Sequence, residues 1–136
     1  MATITAYTVP EVIDMARRAG LGEVADRLDY LHRLPLENGA DPMDPDSARS
    51  LVDFLTRHHQ DLPKPGITAS ADGHVHADLE FAGDSDVDIE FLPSGDVWFI
   101  YSDRDQDTGS YKIRETKMST QDYMLKRIMP RANHAM

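Results

Sequence analysis

The chain has 136 residues, of which 40% are apolar and 28% charged, with no cysteine and a net charge of −10. The absence of cysteine excludes thiol catalysis, disulfides and thiolate metal ligands, and it fits a cytoplasmic protein. No secretory signal is visible at the start, and the longest wholly apolar or aromatic stretch, Val97–Tyr101, is too short to span a membrane.

Local signals predict three N-terminal helices. Thr8 and Glu11 form a capping-box pattern at the start of the first, and Asp44 followed by Pro45 is a strong start for the third. Apolar residues recur at helical spacing after each start. The predicted helices cover about residues 8–20, 22–33 and 44–59.

The first two helices also suggest a helix-turn-helix unit. A helix that reads DNA needs basic or amide side chains, whereas the second helix carries Glu23, Asp26 and Asp29. Acidic groups would lose the phosphate attraction that dominates DNA affinity. We therefore interpret this pair as a structural hairpin and expect no direct nucleic-acid binding.

Strict alternation over residues 74–81 and 87–91 predicts two half-buried antiparallel strands. One face holds Val75, Ala77, Leu79, Phe81, Val87, Ile89 and Phe91. The other holds His74, His76, Asp78, Glu80, Asp88 and Glu90. Before them, Ile67 and Thr68 lie in a predicted extended segment.

The next predicted strand, Val97–Tyr101, is apolar on both faces, as a central or helix-covered strand is. A short strand follows over 111–114, and Ser119 is the predicted cap of a last helix. The fold class is therefore α+β: N-terminal helices, an antiparallel meander of three to five strands, and a C-terminal helix. A single domain is expected, with a helical part over 1–60, a sheet over 61–115 and a helix over 116–130.

Acidity is concentrated in the sheet. Residues 74–109 carry a net charge of −9, whereas residues 110–136 carry +4. Such a surface repels nucleic-acid phosphate and anionic lipid and attracts basic proteins or cations. The simpler interpretation is that the charge only maintains solubility.

Two groups of residues have metal-binding character. Asp103, Asp105 and Asp107 alternate in a loop and can converge on Ca²⁺, although Thr108 stands where an EF-hand loop has glycine. His74 and His76, on one strand face, could share a metal such as zinc with a carboxylate from the next strand.

The histidine face could also serve hydrolysis. However, the sequence shows no nucleophile turn and no glycine-rich phosphate loop, so we predict a protein without enzymatic activity. No cofactor is predicted apart from the hypothesis of Ca²⁺ or another metal.

The segments Leu62–Ile67, Asp72–Val75, Leu79–Phe81 and Ile89–Gly95 resemble a small module of bacterial accessory proteins from mobile-element and toxin–antitoxin neighbourhoods. Size and acidity are also similar to those of immunity proteins, phage anti-defence proteins and type III secretion chaperones. The resemblance brings no catalytic residues.

These features predict an acidic protein-binding module that masks a basic surface of a partner protein. One candidate class of partner is a nucleic-acid-binding protein. The expected contact residues are Asp78, Glu80, Asp88, Glu90 and Trp98. A homodimer that buries part of this face is a further option. The alternative is a Ca²⁺- or metal-binding domain, with or without hydrolytic activity.

Overall fold

The computed structural model describes residues 7–81, 85–104, 108 and 111–127. The helices are α1 (Val9–Arg18), α2 (Gly22–Arg33) and α3 (Pro45–His58), followed by a 3-10 helix, His59–Asp61. The strands are β1 (Gly66–Ala69), β2 (Val75–Phe81), β3 (Ser85–Phe91), β4 (Val97–Arg104) and β5 (Tyr111–Ser119). A last helix, α4, includes residues 121–127. None of the helices in these ranges has the length and apolar character needed to cross a bilayer.

The starts of α1 and α3 agree with the capping predictions. The Thr8 hydroxyl accepts a hydrogen bond from the Glu11 amide at 3.3 Å, and the Glu11 carboxylate accepts one from the Thr8 amide at 2.9 Å. The Asp44 carboxylate accepts hydrogen bonds from two amides in the first turn of α3. Each cap satisfies amides that have no partner within the helix.

The predicted cap of the last helix is wrong by one residue, and the predicted helical range of 116–130 begins too early, because residues 116–119 belong to β5. Ser119 is the final residue of β5, where it pairs with Val97. Thr120 is the cap, since its hydroxyl accepts a hydrogen bond from the Tyr123 amide at 3.2 Å. β5 is also longer than the predicted four-residue strand, because it pairs with β4 over the whole length of that strand.

The sheet is antiparallel, with strands in the order β1-β2-β3-β4-β5. This meander, with helices before and after it, confirms the predicted α+β class. The inner face of the sheet contributes buried side chains to the core: Ile67, Val75, Ala77, Leu79, Phe81, Val87, Ile89, Phe91, Val97, Phe99 and Tyr101. They join buried residues of α1, α2, α3 and α4 in one hydrophobic cluster.

Helix α3 fixes the helical layer on the inner face. The rings of Phe54 and Phe91 lie 5.5 Å apart. The buried Ser47 hydroxyl donates to the Phe91 carbonyl at 2.6 Å and accepts from the Val75 amide at 2.8 Å. Since Val75 and Phe91 are cross-strand partners, this one hydroxyl links α3 to both β2 and β3.

Candidate functional site on the outer face of the sheet

The outer face of β2 and β3 carries a continuous band of carboxylates, here called the acidic stripe: Asp78, Glu80, Asp86, Asp88 and Glu90. Asp78 lies directly opposite Asp88, and Glu80 lies opposite Asp86. These side chains are exposed or half-buried, whereas their neighbours in sequence point into the core. Like charges at directly opposite positions destabilise a sheet.

Exposed and half-buried apolar side chains lie beside the acidic stripe. They form the apolar strip: Trp98 and Ile100 on β4, and Ile113 and Met118 on β5. Trp98 pairs with Glu90 on one side and with Met118 on the other. The exposed fractions are 41% for Trp98, 56% for Met118 and 68% for Ile113. β4 is thus a central strand, as its composition predicted, but in the described structure its outer face remains accessible.

All five residues predicted to contact a partner therefore lie on one face. Asp86 completes the acidic stripe and was missed, because the predicted strand began at Val87. Extending the alternation back by two residues would have included it. One of its carboxylate oxygens, Oδ1, is buried and has no hydrogen-bond partner among the described residues.

The acidic stripe does not carry its full formal charge at neutral pH. Burial, a side-chain hydrogen bond with Asp86 and the charges of Asp86 and Asp88 raise the pKa of Asp78 to about 7. A hydrogen bond between two carboxyl groups exists only while one of them keeps its proton. At pH 7, a large fraction of the molecules therefore carry a neutral Asp78.

The two histidines do not converge in the predicted way. Nδ1 of His74 lies 2.6 Å from Oε2 of Glu90, while Nδ1 of His76 lies 3.7 Å from Oδ2 of Asp88. Each imidazole therefore has a carboxylate neighbour of its own on β3. The side chain of Asp88 raises the pKa of His76, burial opposes that shift, and the charges of Glu90 and Asp72 add to it.

Sequence analysis gave Asp72 no role in a site, but its carboxylate reaches His74. Oδ2 of Asp72 lies 3.3 Å from Nδ1 of His74. Ligand atoms of Asp72, His74 and Glu90 all lie within 4.8 Å of one another. These three residues, here called the Asp-His-Glu cluster, combine one imidazole with two carboxylates at one end of the acidic stripe.

The predicted calcium loop is described only in part. Asp103 accepts hydrogen bonds from the hydroxyls of Ser85, at 2.6 Å, and Tyr101, at 2.7 Å. These bonds hold its carboxylate against β3 and β4. Asp105 and Asp107 lie outside the described residues, so Ca²⁺ binding by this loop stays a prediction.

A cavity of about 1000 Å³ lies between the α1–α2 turn, the end of α3 and β1, and Asp78 of the acidic stripe contributes to its lining. Its lining is mainly apolar and includes Leu21, Val24, Leu55, Leu62 and Ile67. Two cations at its wall have protein partners: Arg27 donates to the Ile67 carbonyl at 2.9 Å, and Lys64 lies 2.9 Å from the Glu23 carboxylate.

Comparison of the chain with protein-family models, with curated proteins and with solved structures finds no match.

Proposed function

We propose that the protein is a binding module without enzymatic activity, and that its acidic stripe and Trp98 mask a basic surface of a partner protein. The proposed role is that of an inhibitor, antitoxin, immunity or anti-defence protein of a bacterium or phage. A partner that itself binds nucleic acid would present its phosphate-binding groove to the acidic stripe.

One observation carries this proposal. The outer face places Asp78 opposite Asp88 and Glu80 opposite Asp86, although like charges at directly opposite positions destabilise a sheet. A partner that brings Lys or Arg between these carboxylates turns the repulsion into attraction. Such complementary charges steer the encounter and fix the register of a complex.

The apolar strip supplies apolar contacts, which the charged groups of the acidic stripe do not provide. Trp98 adjoins Glu90 across β3 and β4, so an aromatic side chain stands at the border between the charged and apolar parts of the face. Aromatic anchors surrounded by polar groups are typical of residues that dominate binding energy. The proposed interface is therefore centred on Trp98, with the acidic stripe on one side.

The test compares two proteins of equal net charge. The first variant neutralises the acidic stripe as D78N/E80Q/D88N/E90Q. The matched control removes four exposed or half-buried carboxylates of α1 and α2, each paired with a basic side chain, as D14N/E23Q/D26N/D29N. Tagged wild type and both variants are used to capture partners from lysate at low and high salt, with EDTA present, and the affinity for the captured partner is then measured.

Wild type and the helix variant should retain one stoichiometric partner at low salt and release it at high salt, because exposed charges are screened. The stripe variant should bind that partner at least about 100-fold more weakly. Equal affinity of the stripe variant and wild type would refute the proposal. Retention by wild type at both salt concentrations, with loss in Trp98→Ala, would place the binding energy in the apolar strip instead.

A further inference from the structure

We infer that Asp72, His74 and Glu90 form a binding site for a divalent transition metal, with zinc as the best match. This inference does not rest on the proposed function: Glu90 belongs to both sites, but Asp72 and His74 lie outside the acidic stripe and can be changed without altering it. It also differs from the predicted His74–His76 pair, whose imidazoles face separate carboxylates.

The donor set agrees with this chemistry. An imidazole nitrogen together with two carboxylate oxygens suits zinc and other first-row transition metals, whereas Ca²⁺ prefers oxygen donors alone. Three protein ligands leave one position of a tetrahedral zinc ion for water or for a group from another molecule. A zinc ion here would thus be held at the surface with one coordination position open.

The distances agree as well. Donor atoms bound to zinc at roughly 2.0–2.1 Å in a tetrahedron lie roughly 3.3–3.4 Å apart. Oδ2 of Asp72 is already 3.3 Å from Nδ1 of His74. Oε2 of Glu90 is 2.6 Å from the same nitrogen and would move outward by about 0.7 Å to reach this spacing.

Surrounding groups hold the first two ligands in place. The other oxygen of Asp72, Oδ1, accepts hydrogen bonds from the Ser70 hydroxyl and from the His74 amide, which leaves Oδ2 for the imidazole. Gly73 between them has φ +85°, and a Cβ there would lie 2.3 Å from the Pro42 carbonyl oxygen. The Asp44 amide donates to the Gly73 carbonyl at 2.8 Å, so the turn is anchored to the segment before α3.

The side chains of His74 and Glu90 are each about one-fifth exposed, at 20% and 21%. A metal ion would therefore exchange with solvent through the open side of the cluster while being partly desolvated. Partial burial strengthens the attraction between the ion and the two carboxylates relative to a fully solvated surface.

The experiment is a calorimetric titration of the full chain with ZnCl₂ at pH 7. One equivalent should bind to wild type. Asp72→Asn and His74→Gln should each weaken binding by at least about 10-fold, and Ser70→Ala, which frees Asp72 from its orienting hydroxyl, should weaken it to a similar or smaller degree. The matched control is Glu80→Gln, which removes a carboxylate from the same face but outside the cluster and should leave the affinity within about 2-fold of wild type.

A spectroscopic measurement identifies the ligand atom directly. The ¹⁵N chemical shift of Nδ1 of His74 should move on addition of zinc and should not move on addition of CaCl₂. Zinc binding that is equally strong in wild type, Asp72→Asn and His74→Gln would overturn the inference, as would the absence of a one-equivalent site in wild type. Thermal unfolding of each variant without metal establishes that it is folded before titration.

The zinc site and the proposed binding of a partner protein can each be refuted without refuting the other. Asp72→Asn and His74→Gln should lose zinc while retaining the protein partner in EDTA. The E80Q variant should retain zinc. Loss of zinc binding in every protein tested, with partner capture intact, would refute only the metal site.

Discussion

The two faces of one sheet have opposite chemistry although the same strands build both. On the inner face, side chains such as Leu79, Ile89 and Phe99 are fully buried. On the outer face, neighbours of these residues in the chain set carboxylate against carboxylate, as in Asp78 and Asp88. The inner face therefore supplies burial that stabilises the sheet, whereas the opposed carboxylates of the outer face reduce its stability. Surfaces that lower the stability of a fold are typical of functional sites.

The strongest test of this division uses two consecutive aromatic residues. Phe99→Ala should lower the free energy of unfolding by about 3–5 kcal/mol, because it leaves a cavity in the core. Trp98→Ala, one residue earlier on the opposite face, should cost about 1 kcal/mol or less, because Trp98 is 41% exposed. Urea unfolding of both variants measures the difference.

If Trp98→Ala proved as costly as Phe99→Ala, Trp98 would be a core residue covered in solution, and the outer face would not be free to bind. In partner capture, the two kinds of variant should rank in the opposite order. Trp98→Ala should lose affinity for the partner, whereas a folded core variant should keep it.

The division between the faces could be predicted from sequence, because side chains alternate with the same period as the strand. Val75, Ala77 and Leu79 on one face and Asp78 and Glu80 on the other follow from that rule alone. The capping box of Thr8 and Glu11 could be predicted for a similar reason, since it is a contact between near neighbours in the chain.

The parts that sequence reasoning missed depend on pairing between distant segments. Glu90 reaches His74 because it pairs with His76 across β2 and β3, and the register of two strands is not a property of either strand alone. The length of β5 was missed because the alternation of apolar and charged residues stops after Arg114. Its extent is set by pairing with β4, with a shift in register between Tyr101 and Ser102.

A second prediction concerns the buried hydroxyl on the inner side. Ser47→Ala should lower the free energy of unfolding by about 2 kcal/mol, since it leaves the Val75 amide and the Phe91 carbonyl without their bridging partner. Ser50→Ala is the matched control. Ser50 is 9% exposed and accepts one hydrogen bond, from Gln121, so its loss should cost about 0.5–1 kcal/mol.

Chemical denaturation of the two serine variants measures the two losses of unfolding free energy. A cost below that of Ser50→Ala would mean that the Val75 amide and the Phe91 carbonyl find other hydrogen-bond partners once the Ser47 hydroxyl is removed. In that case, the hydroxyl would not be the link that keeps α3 on the inner face.

The smallest predicted effect lies in the acidic stripe and depends on pH. The pKa of Asp78 is raised from its ordinary value of 3.8 to about 7, so the folded protein keeps a proton that the unfolded chain releases near pH 4. Asp78 therefore lowers the stability progressively as the pH rises from about 4 through about 7. Asp78→Asn should stabilise the protein by about 1 kcal/mol at pH 8 and by less than about 0.5 kcal/mol at pH 5.

Unfolding free energies at pH 5 and pH 8 measure this effect, with Trp98→Ala as a control that removes no titratable group. A difference between Asp78→Asn and wild type that stays constant over this range would show that Asp78 holds no proton in the folded state. The affinity for a partner should change with pH in the opposite direction to the stability. A cationic partner favours the ionised carboxylate, so affinity should increase as the pH rises through 7. The same proton would then limit both the repulsion within the acidic stripe and the attraction for a basic partner.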